Sequence, residues 1–97
     1  MKLSATEIEK IRHFFSDKPV RKVYLFGSFA RGDADENSDV DLLIDWDYSK
    51  IVGLEYVQWW DDIKHIMNKD VDFVSTKYVS PLIEKYIQTD KILVYET

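Results

Sequence analysis

The chain has 97 residues, 45% of them hydrophobic and 14% aromatic, with no cysteine and a formal net charge of −5. That length suits one domain (residues 1–97), the apolar share excludes global disorder, and the missing thiols exclude disulfides, zinc–thiolate sites and cysteine nucleophiles. The acidic balance lacks a nucleic-acid binder's basic footprint, and no apolar run could span a bilayer, so the expectation is a cytoplasmic protein with neither membrane nor nucleic acid as partner.

Ser4 followed three residues later by Glu7 predicts a capping box that opens a helix running to about Asp17. Ile8, Ile11 and Phe15 form its apolar stripe, with Phe14 at the edge, and Pro19 closes it. Val20 to Phe26 is β-branched and aromatic and predicts a strand buried on both faces. Gly27 to Gly32 turns, with one helical turn through Ser28–Arg31. Val40, Leu42, Ile44 and Trp46 then alternate with Asp39, Asp41, Leu43 and Asp45, the period of a strand. Ser38 and Asp41 also fit a capping box, but the sustained alternation outweighs it.

Gly53 to about Asn68 reads as a second long helix. Tyr56, Trp59, Trp60, Ile63, Ile66 and Met67 share its apolar sector, so the tryptophan pair is read as core packing. Asp70 to Ser75 alternates as a strand, and Ser80-Pro81 supplies an N-cap followed by proline at the first helical position. Leu82, Ile83, Tyr86 and Ile87 are expected to carry that helix inward, and Lys91 to Tyr95 closes the chain as a strand.

Six carboxylates crowd residues 33–45: Asp33, Asp35, Glu36, Asp39, Asp41 and Asp45. Such charge runs are commonly solvated loops, so a cation site needs a specific pattern. Gly27 and Gly32 have P-loop spacing, but Asp33 and Ala34 stand where lysine and a hydroxyl residue are required. Asp33, Asp35, Asn37, Asp39 and Asp41 match calcium-loop positions, yet Ser38 replaces the turn glycine and Ile44 the enclosing glutamate. Strand geometry serves better. Asp39 and Asp41 project from one face, roughly 7 Å apart at Cα, and could converge on magnesium with phosphate oxygens completing its shell. Asp45 lies roughly 13 Å beyond Asp41, too far to join by geometry alone. Gly27 permits close approach of a phosphate, which the Ser28 hydroxyl and the turn amides could hold, with Arg31 adding a charge-assisted contact. His13 and His65 fall on polar helix faces and are read as exposed, and Ser28 has no evident base to make it a nucleophile.

Gly27-Ser28-Phe29-Ala30-Arg31-Gly32, followed by Ser38-Asp39-Val40-Asp41-Leu42, resembles the G-S-x-A-R-G…S-D-x-D-L signature of the DNA polymerase beta nucleotidyltransferase superfamily. The motif spans residues 27–42, while length and element order resemble nearly the whole of a minimal nucleotidyltransferase (MNT), a group often encoded beside HEPN-domain toxins. The resemblance implies an α+β nucleotidyltransferase fold with a mixed central sheet and flanking helices. It also implies two magnesium ions and a third carboxylate on a later strand. Asp72 matches that position, with Asp70 less favoured. One site joining Ser28 to Asp39 requires their strands to be antiparallel neighbours, and joining Asp72 to Asp39 and Asp41 requires a parallel pair. The helix at 53–68 would be the crossover between that pair.

The expected activity is magnesium-dependent transfer of a nucleoside monophosphate from ATP or another NTP, and the resemblance implies that AMP goes to a tyrosine hydroxyl of a paired HEPN toxin. Asp39, Asp41 and Asp72 would hold metal, with Asp72 beside the acceptor, and Gly27, Ser28 and Arg31 would hold phosphate. The competing function is a non-catalytic antitoxin that neutralises its partner by forming a complex.

Overall fold

A computed structural model, describing residues 1–50 and 53–97, contains four α-helices and a four-stranded sheet among those residues. In chain order these are α1 (Ala5–Phe15), β1 (Val20–Phe26), α2 (Ser28–Arg31), β2 (Val40–Trp46), α3 (Glu55–Met67), β3 (Val71–Ser75), α4 (Pro81–Asp90) and β4 (Ile92–Glu96). The sheet order is β3-β2-β1-β4. β1 is antiparallel to β2 and β4, whereas β2 and β3 are parallel with α3 as crossover. The sheet is mixed, as the sequence led one to expect.

Local chemistry accounts for the boundaries. Both halves of the Ser4–Glu7 capping box form, and α1 ends at Phe15, two residues before the expected Asp17. The Ser80 hydroxyl accepts from the Leu82 amide, and Pro81 opens α4, where its missing N–H is no loss. α3 closes on Asn68 in the left-handed conformation at φ 52°.

Alternation along β2 sorts its side chains between two faces. Val40, Leu42, Ile44 and Trp46 join Val23, Leu25, Ile11, Phe15, Ile63 and Met67 in the core between the sheet and α1 and α3. Trp46, 1% exposed, centres an aromatic cluster: its ring centroid is 5.8 Å from Trp59, 5.6 Å from Tyr56 and 6.0 Å from Phe73. Its indole N–H donates to Ser75 Oγ at 3.1 Å, so this large side chain is buried with its polar atom satisfied.

Three packing expectations are corrected. β1 is not buried on both faces: Arg21 is exposed, and Lys22, Tyr24 and Phe26 are half-buried. On α3, Ile63 and Met67 are buried and Tyr56 and Trp59 pack against the core, but Trp60 and Ile66 stand at the solvent edges. The Lys64 ammonium covers the Trp60 ring at 4.2 Å, which suits a surface aromatic. α4 turns only Ile87 fully inward, leaving Leu82 83% and Tyr86 67% exposed, with Ile83 exposed beside them. The physical reason is the seat. Lys22, Tyr24 and Asp45 line the sheet side of the cleft beneath α4, and Leu43 is the one aliphatic side chain of the sheet among them. Periodicity reports the width of an apolar stripe but not what the stripe meets. Leu82→Ser should therefore shift unfolding free energy by less than about 0.5 kcal/mol, whereas Ile87→Ala should cost about 2–4 kcal/mol in denaturant titrations. Equal losses would mean that the Leu82 flank is packed.

Candidate active site

The residues singled out in the sequence gather at one end of the sheet. β1 ends there at Phe26, β2 and β3 begin there, and Phe26 pairs with Asp41 while Asp41 pairs with Asp72. Asp39 immediately precedes β2. Antiparallel and parallel pairing together thus bring the glycine turn and two carboxylates from separate strands into neighbouring positions.

Gly27 has φ 77° and ψ −155°, a combination essentially confined to glycine. A Cβ there would overlap the Asp41 carboxylate, so the missing side chain is what lets Asp41 lie against the turn. The Gly27 carbonyl accepts from the Ala30 and Arg31 amides, each at 3.0 Å, and starts the short α2. Phe29 and Ala30 anchor α2 in the core, which fixes where Ser28 begins the turn. Gly32, at φ 92°, ends it.

Burial raises the Asp41 carboxyl from 3.8 to about 6, aided by the negative charges of Asp72 and Asp39 and a hydrogen-bonding contact with Asp72. Arg31 acts in the opposite direction, which places its charge within electrostatic reach of Asp41. Its guanidinium is engaged by two other carboxylates: Nε donates to Asp33 Oδ2 at 3.1 Å and Nη1 to Asp90 Oδ2 at 2.7 Å. Nothing in the sequence pattern singled out Asp90, which lies 59 residues away; the one local signal is an acid ending a helix.

Other acidic residues have different occupations. Asp35 organises its own turn, accepting from the Asn37 amide at 2.8 Å and the Ser38 hydroxyl at 3.3 Å. Asp45 accepts from the Thr76 hydroxyl at 3.3 Å, at the far end of the sheet face. Asp70 precedes β3 and lines a separate open cleft of about 570 Å³ with Asp61, Lys64 and Lys69. His13 and His65 are both exposed.

Asp39, Asp41 and Asp72 are oxygen donors, the ligand type that magnesium favours. Burial raises the Asp41 carboxyl most, and the repulsion from Asp72 and Asp39 that adds to it is the kind a bound cation relieves, so the residues fit magnesium in chemistry. Among the described residues, no three His, Cys, Asp or Glu side chains already stand in a metal-holding group.

Comparison with known proteins agrees with this architecture. Residues 9–97 match the family model described as polymerase beta, nucleotidyltransferase. The chain is 31% identical over 90 residues, 90% of each chain, to a Methanocaldococcus jannaschii protein named "Putative protein adenylyltransferase MJ1379". It superimposes with a TM-score of 0.78 and 22% identity on a crystal structure described as a toxin–antitoxin with AMP-PNP, covering 93% of this chain and 73% of that one. A structure described as a tri-AMPylated Shewanella oneidensis HEPN toxin in complex with MNT antitoxin gives a TM-score of 0.72 and 18% identity, covering 95% and 71%. At those identities the structural likeness is one of fold. The family match takes in the glycine turn and all three aspartates, and the chain belongs to the polymerase beta nucleotidyltransferase family, as a nucleotidyltransferase enzyme.

Proposed function

We propose that this chain transfers AMP from ATP, with magnesium, to a hydroxyl of a partner protein of the HEPN toxin class. The observation that carries the reading is the Asp41–Asp72 pair, in register across parallel strands, with Asp41 packed against the side-chain-free surface of Gly27. Support for the partner class comes from a relative named as a protein adenylyltransferase and from the AMPylated toxin in the related complex.

Asp39, Asp41 and Asp72 would hold two magnesium ions. Bound magnesium would neutralise the charge that builds on the triphosphate and on the departing pyrophosphate. Ser28 and the amides of its turn bind phosphate oxygens, and Arg31 adds a positive charge beside them. Asp72 takes the proton of the acceptor hydroxyl. The hydroxyl oxygen then bonds to the α-phosphorus, the bond to the bridging oxygen breaks, and pyrophosphate leaves. Positioning and charge neutralisation supply most of the acceleration.

A protein acceptor suits the charge of the molecule. A net charge of −5 and a carboxylate cluster at the reaction centre repel a phosphate backbone. With labelled ATP, magnesium and a HEPN-class partner protein, label should migrate with that protein and disappear for Asp72→Asn. Efficient labelling of RNA ends by this chain alone would overturn the acceptor class. Magnesium–ATP should also raise the melting temperature, by a linkage worth about 2.7 kcal/mol at a hundredfold excess over Kd.

One observation favours a second reading, neutralisation by complex formation without catalysis. The exposed Leu82–Tyr86 flank of α4 is an apolar surface available to a partner. If Asp72→Asn still neutralises the toxin in full, the complex rather than the transfer carries the function.

A further inference from the structure

We infer that Asp90, the last residue of α4, is a positioning residue that holds the Arg31 guanidinium in place for the phosphates of the nucleotide. The inference rests on the reading of Gly27–Arg31 as the phosphate-binding turn. Asp90 Oδ2 accepts from Arg31 Nη1 at 2.7 Å, and Asp33 Oδ2 accepts from Nε at 3.1 Å. Two hydrogen bonds to different nitrogens of a rigid planar group fix its plane, not merely its distance. Among the described residues nothing else hydrogen-bonds the guanidinium, so its remaining N–H groups on Nη1 and Nη2 can meet an anion. Arg31 is itself exposed, and the charge so fixed is felt at Asp41, which places it within electrostatic reach of the carboxylate pair.

Asp90 is hard to explain as a contribution to its own helix. A carboxylate in the last turn opposes the helix dipole, and the last turn of α4 has no basic residue to offset it. Its side chain is only 12% exposed, so its charge is largely removed from water, which costs stability unless a cation is paired with it. Arg31 is that cation. Asp33, by contrast, is well exposed and only two residues away, so it follows Arg31 wherever the turn goes. Asp90 comes from another element and supplies the external reference against which the turn is oriented.

The test measures magnesium–ATP affinity by calorimetric titration of the full chain, together with KM and kcat for transfer. Asp90→Asn should weaken ATP binding and raise KM about five- to tenfold, the difference between a charge-assisted and a neutral hydrogen bond, with kcat changed less than about threefold. Asp90→Glu should recover most of the affinity. In an Arg31→Ala background, Asp90→Asn should add nothing, because both changes remove one device. The inference is overturned if Asp90→Asn binds ATP as the wild type does. It is equally overturned if its effect persists undiminished in the Arg31→Ala background, which is the mark of a structural role independent of the guanidinium. Failure of the functional reading looks different: the wild type itself would then bind no ATP.

Discussion

Asp41→Asn should lower transfer by about a thousandfold or more, and at pH 7.5 the ligand-free variant should melt above the wild type. The two effects share one cause. The Asp41 carboxyl is raised from 3.8 to about 6, first by burial and then by the charges of Asp72 and Asp39. Between about pH 4 and pH 6 the folded chain therefore holds a proton that the unfolded chain has released. Stability from this group is fully present at lower pH, declines as pH rises through that window, and is gone above it. Because Asp41 is half-buried, solvent screening reduces the penalty at neutral pH to about 1–2 kcal/mol. Asparagine carries no charge and escapes it. Thermal melts at pH 5 and pH 7.5 should show the variant's advantage widening at the higher pH. A variant that melts well below the wild type at both values would mean that the carboxylate holds the fold together.

Gly27→Ala should damage stability and activity together. Its backbone conformation is strained for any L side chain by about 1–3 kcal/mol, and the added methyl must displace the Asp41 carboxylate. Gly53→Ala makes a useful control. Gly53 also has positive φ, but nothing lies within 4 Å of a Cβ there, so backbone strain acts alone. Both variants should lose stability, while only Gly27→Ala should lose more than about tenfold in transfer rate measured on folded protein. Equal rates in the two variants would separate Gly27 from the chemistry.

Much of this molecule is written locally in its sequence. β1, α2 and β2 have the bounds that alternation and the two glycines indicate, because strand period and turn chemistry act over a few residues. The relative directions of β1, β2 and β3 followed from asking how Ser28, Asp39 and Asp72 could share one site. Packing breadth was less legible. Leu82, Ile83 and Tyr86 have helical apolar spacing, yet what they face depends on Lys22, Tyr24 and Asp45, which lie on other strands. The Arg31–Asp90 bond was illegible for a related reason: it joins residues 59 apart in the chain, and no local rule connects them.

The two-faced sheet also decides what light can report about this protein. Trp46 is sealed in the core and stacked on Trp59 at 22° between ring planes, on the face opposite Asp41 and Asp72. Their emission and their coupled near-ultraviolet circular dichroism should follow the integrity of the core and should not change on addition of magnesium–ATP. Trp60 differs, since its indole N–H donates to the Val71 carbonyl, one residue before Asp72. With Trp60 replaced by phenylalanine, the remaining fluorescence becomes a clean gauge of folding. The difference from wild type isolates one chromophore beside the third aspartate.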